Sequence, residues 1–153
     1  MNPFDLKSAL LAKHAQHVVL IHFPIALFLT GAAFDLAAGF SCQVARKAAW
    51  VAAARLNFVA AAAFVLPTFA TGIMAWQWQL GGKRPKGFLL LHLALACLSS
   101  LLISLVGWIH FRWRRVTGSR SPVHYLILEG FTVAVVILTA HIGGFLSGVN
   151  VPG

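Results

Sequence analysis

Four histidines, His17, His22, His92 and His141, stand inside long apolar runs. Imidazole is rare in hydrocarbon and needs a role there, as a hydrogen-bonding group between helices or as a ligand. Two neutral imidazoles from facing helices can hold one haem iron axially, and the cores of helical bundles carry such cofactors. Zinc or copper is the other chemistry open to them, but few acids or thiols stand near these histidines to complete a metal shell. Covalent c-type attachment is excluded, because no Cys-x-x-Cys-His run occurs. The expected cofactor is therefore haem b, one or two per chain. Its ligand pool is His22, His92 and His141, then His17, with Met74 in reserve as an axial thioether.

The first two histidines do not form one chelating motif. His17 and His22 are five residues apart, which is about 140° around a helix. His22 lies deeper and is the better ligand expectation. His17 reads as a second-site or supporting residue. The plainer alternative for all four is interhelical hydrogen bonding without a cofactor.

The elements that must position them are membrane spans. Of 153 residues, 59% are hydrophobic and 10% charged, against about 25% charged in a soluble domain. Apolar runs cover residues 17–40, 48–78, 88–108 and 123–146. They are too long and too unbroken for barrel strands, so an all-α, integral membrane four-helix up-down bundle is expected, one domain over 1–153. Pro24 falls near the start of the first span, where a missing N–H is cheap. Pro67 is the expected kink of the second, with Thr68 and Thr71 available to satisfy freed backbone groups. The first run is too long for a signal peptide and reads as a retained helix. No internal repeat is evident.

This topology delivers His17, His22, His92 and His141 to one end of the bundle, here called the X end. The X side carries Lys7, Lys13, Lys83, Arg84 and Lys86. The opposite Y side carries Arg46, Lys47, Arg55, Arg112, Arg114, Arg115 and Arg120. The excess at Y favours Y as cytoplasmic, with both termini on the other side. The bases lie in short clusters between apolar runs, which leaves no soluble basic face for nucleic acid. His110 and His124 fall among the Y-side arginines. Cys42 and Cys97 show no CxxC spacing and read as ordinary small residues.

Only three acids occur: Asp5, Asp35 and Glu129. Asp35 and Glu129 both lie toward Y, as does Arg55, and a buried Asp35–Arg55–Glu129 cluster is expected, since each charge needs a partner in hydrocarbon. Asn57 and Glu129 could also position a quinone.

His17, four residues, then His22-Phe23-Pro24-Ile25-Ala26 is similar to the head of helix one in a bacterial family of four-helix membrane proteins, domain of unknown function two-two-three-one. Leu91-His92 and His141-Ile142-Gly143-Gly144 look like its later features. The likeness covers nearly the whole chain, with Val18 where the family often has Pro. The family name implies no activity, but some members look to be joined to c-type cytochrome domains, which implies a role in electron transfer. The expected function is a haem-b-binding subunit of the bacterial inner membrane. It would pass electrons between a periplasmic partner (a c-type cytochrome or dehydrogenase) and quinone or a respiratory complex. The alternative is a cofactor-free anchor or assembly subunit. No nucleophile triad, phosphate loop or zinc-protease motif points to catalysis by the chain itself.

Overall fold

The computed structural model describes residues 15–79, 81, 82, 84–113 and 123–146. The expectations for Met1–Lys13, Lys83, Arg114, Arg115, Arg120, Ser121-Pro122 and the tail 147–153 lie outside them. Four helices make up nearly all of the described chain: α1 (Ala15–Phe40), α2 (Val44–Gln79), α3 (Phe88–Trp113) and α4 (Val123–Leu146). Each is long and apolar enough to cross a membrane. The four expected spans are all present. The α1–α2 connection is shorter than expected, so Arg46 and Lys47 lie in the first turn of α2. Helix α3 runs on past Trp108, which carries His110 and Arg112 within it. Gly81 and Gly82 have φ of 58° and 62°, a backbone that β-carbon-bearing residues avoid, and they turn the chain after α2.

Packing runs α1 to α2, α2 to α3, α3 to α4, and closes from α4 back to α1. Thus α1 and α3 stand on one diagonal and α2 and α4 on the other. The core is small: Phe28, Ala54, Phe58, Ala61, Val65, Ile103, Val106 and Val136. Three aromatic contacts rung α1 to α2: Phe23 on Phe64 (4.9 Å), Phe28 on Phe58 (5.0 Å) and Phe34 on Trp50 (5.2 Å). Glycine allows the closest helix approach. A Cβ on Gly107 would stand 2.6 Å from Ala62 Cβ and 2.9 Å from the Phe58 carbonyl oxygen. Meanwhile Leu56, Leu66 and Leu101 are each at least 70% exposed. Apolar residues cover the outside as well as the centre, which suits lipid rather than water as the surrounding medium.

Both helix-internal prolines need an account. Pro24 lies in the tenth position of α1, well inside the helix rather than near its start. It has no N–H for the carbonyl of Leu20, four residues back. The Thr68 hydroxyl, from α2, donates to that carbonyl oxygen at 3.3 Å. Thr71 turns instead to its own helix, with its hydroxyl 2.9 Å from the Pro67 carbonyl oxygen and 3.0 Å from that of Thr68. So the threonine next to one proline serves the carbonyl freed by the other, and this locks α1 to α2.

Burial reveals a repeat that the residue types conceal. Shifting α1 by 75 positions lays buried Pro24, Phe28, Gly31 and Asp35 on buried Ser99, Ile103, Val106 and His110 of α3. Shifting α2 by 71 lays buried Phe58, Ala61 and Val65 on buried Glu129, Thr132 and Val136 of α4. The described helices thus form two hairpins whose burial patterns stand in matching register.

Candidate functional site

The repeat extends to the X end, where it sets a histidine at the equivalent position of each hairpin. The His17 ring of α1 lies against Gly72 of α2: a Cβ there would meet His17 Cε1 at 3.0 Å and Nδ1 at 3.5 Å. The His92 ring of α3 lies against Gly143 of α4 with the same two distances, 3.0 Å and 3.5 Å. Each ring also borders the main chain of a threonine four residues before its glycine, Thr68 for His17 and Thr139 for His92. His17 and His92 thus occupy equivalent seats on diagonal helices, within electrostatic range of one another.

Their polar atoms are arranged alike but not identically. His17 Nδ1 lies 3.3 Å from the Thr71 hydroxyl. His92 Nδ1 is buried and closes no hydrogen bond of good geometry among the described residues. The Thr139 hydroxyl is turned away, donating to the Val135 carbonyl oxygen at 2.7 Å.

The other members of the expected ligand pool sit differently. His22 is exposed, and its Nδ1 lies 2.6 Å from the Val18 carbonyl oxygen of its own helix. His141 is exposed, its ring edge-on to Phe145 at 5.0 Å. Met74 is also exposed. The structure therefore gives His17 and His92 equivalent, half-buried places and leaves His22, His141 and Met74 exposed.

Toward Y, at the other end of the same register, Asp35 and Glu129 do come together, with His110 rather than Arg55 between them. All three are buried, at 2–3% exposure. His110 Nε2 lies 2.9 Å from Glu129 Oε1. One donor atom from each of the three residues lies within 4.8 Å of the others. Arg55 is half-buried and has no ion pair with either acid among the described residues. The His110 ring packs on Phe58 with centroids 4.4 Å apart. His110 is a buried residue rather than a Y-surface one, because α3 continues past Trp108. The signal that places it inside is its spacing after Ser99, Ile103 and Val106, one face of an uninterrupted helix.

Four apolar helices, closed into a ring around a thin core and apolar on their outer faces, define an all-helical membrane bundle. The chain belongs to the family described as predicted membrane protein (DUF2231), whose model matches residues 13–150. No curated protein and no solved structure matches it.

Proposed function

We propose that this chain is a haem-b-binding membrane subunit for electron transfer, in which His17 and His92 would hold the haem iron. The observation that carries this is their matched placement: two imidazoles on diagonal helices, at one end of the bundle, each seated on a glycine of the neighbouring helix. Three features suit haem. Gly72 and Gly143 lack the side chains that would displace the two imidazoles from their seats. Hydrogen bonding at His17 Nδ1 leaves Nε2 as the ligating nitrogen. Iron at Nε2 of His92 would fix the ring proton on the buried Nδ1, on the side that carries no other ligand. Bound haem b, held by these two histidines, would supply a one-electron carrier.

The chain's own residues do the rest. Thr71 orients His17, the Thr68–Leu20 contact fixes α1 against α2, and the apolar surroundings exclude water. Electrons would pass between a periplasmic c-type cytochrome or dehydrogenase and quinone or a respiratory complex. The protein would lie in a bacterial inner membrane with both termini periplasmic.

A second reading has its own observation. His17 already has a hydrogen-bond partner in Thr71, the ordinary solution for a histidine between helices. On that reading the chain is a cofactor-free anchor within a larger membrane complex. The test is the reduced-minus-oxidised absorption spectrum of the purified protein, produced with haem supplied. Haem binding gives a b-type band that His17→Ala and His92→Ala each remove. An anchor gives no band.

A further inference from the structure

The Asp35–His110–Glu129 cluster takes no part in the proposed electron carrier and lies toward the opposite end of the bundle. The geometry points to a second site there: a single divalent first-row metal ion bound by Asp35, His110 and Glu129. This inference does not rest on the haem reading.

Three helices contribute one ligand each, Asp35 from α1, His110 from α3 and Glu129 from α4. Their donor atoms already converge to within 4.8 Å. A metal ion bonded to each at about 2.1 Å needs donors roughly 3–4 Å apart, so small rotations of the two carboxyl side chains bring all three onto one ion and leave a further position for water. The closest pair, His110 Nε2 and Glu129 Oε1 at 2.9 Å, is already at the separation of neighbouring ligands.

The state of His110 supplies an independent reason. The ring is 2% exposed, and its Nδ1 is buried with no hydrogen bond among the described residues. If Nε2 holds the only proton, Nδ1 is a bare acceptor buried without a donor. If both nitrogens are protonated, Nδ1–H is an unmet donor on a charged ring. If Nδ1 alone is protonated, the lone pair of Nε2 faces Glu129 and needs either the carboxyl proton or a cation between the two. A metal ion at Nε2 supplies that cation. It leaves Nδ1–H on a ring packed against Phe58 (centroids 4.4 Å apart), whose π face is a weak acceptor.

Two carboxylates and a neutral imidazole around a divalent ion also form a set with no net charge, which suits burial in hydrocarbon. The oxygen and nitrogen donors favour Mn²⁺, Fe²⁺ or Zn²⁺ over a thiophilic ion. The matching register sharpens the point. At the X end the paired positions carry the same residue types. Here Asp35 pairs with His110, and Phe58 with Glu129, so this end carries three different polar groups.

The experiment is metal analysis of the full-length protein in detergent, stripped with chelator, reloaded with Zn²⁺ and desalted. The expected result is one Zn²⁺ per chain, with affinity lowered at least tenfold by His110→Ala and by the isosteric Glu129→Gln. Affinity should be unchanged by His17→Ala and His92→Ala. The proposal is overturned if the wild-type protein retains no Zn²⁺, or if Glu129→Gln binds as tightly as wild type. It is equally overturned if the ion is lost with the X-end histidines. Because Glu129→Gln keeps size and hydrogen-bonding capacity, it remains informative if His110→Ala does not fold.

Discussion

His92 lies on Gly143 as His17 lies on Gly72, with the imidazole Cε1 in both cases 3.0 Å from where a β-carbon would stand. Two hairpins with few identical core residues reproduce one arrangement at one end of the molecule. Interhelical packing alone does not require a histidine in both places, and the proposed haem site would use both.

Glycine substitution should separate seat from core. Gly107→Ala meets Ala62 and the Phe58 main chain at 2.6 and 2.9 Å, and backbone cannot swing aside, so a loss of about 1–3 kcal/mol is expected. Gly72→Ala and Gly143→Ala meet imidazole edges that can shift by tenths of an ångström. They should cost less, under about 1 kcal/mol, while disturbing any haem band. Denaturant unfolding in detergent gives the ranking, and a Gly107→Ala protein as stable as Gly143→Ala would contradict it.

The proline–threonine exchange makes a double-mutant prediction. Thr68→Val removes the donor to the Leu20 carbonyl and should cost about 0.5–1.5 kcal/mol. In a Pro24→Ala background that carbonyl regains a helical N–H, so Thr68→Val should then cost measurably less. Equal costs in the two backgrounds would show that Thr68 does not compensate for Pro24.

At the Y end, His110→Leu leaves Glu129 without its imidazole partner and should cost about 3 kcal/mol or more. His110→Leu/Glu129→Leu should recover much of that, because the buried charge leaves together with its partner. Unfolding of the two variants under one set of conditions measures the difference. A double variant less stable than the single would argue against the pair as described.

His22 and His141 face outward, so His22→Ala and His141→Ala should change stability by less than about 0.5 kcal/mol. They should leave the absorption spectrum intact. Loss of the band in either variant would return the ligand role to the residues that depth along the span first suggested.

Much of the fold is legible in the sequence, because unbroken apolar runs of span length leave few alternatives. The convergence of histidines at one end follows from the topology alone. Which histidine faces inward does not, since depth along a helix says nothing of rotation about it. The decisive signal is finer. His17, Pro24, Gly31 and Ala38 recur every seven residues, and so do His92, Ser99 and Val106, a spacing that keeps one side of a helix facing its neighbours. His22 falls off that series. The repeat stayed hidden because equivalent positions share burial and size class rather than identity: Phe28 with Ile103, Asp35 with His110, Phe58 with Glu129. His110 was missed for a different reason. The basic residues after Trp108 resemble a loop, yet the helix continues through Arg112, whose guanidinium lies 5.5 Å from the Trp108 ring centroid.

The central claim is the pairing of His17 with His92 across the bundle, and the reduced-minus-oxidised spectrum across four single variants tests it most directly. The account predicts a b-type band in the wild type, retained in His22→Ala and His141→Ala and abolished in His17→Ala and His92→Ala. A wild-type protein with no band when haem is supplied, or a band that survives loss of both His17 and His92, would contradict it.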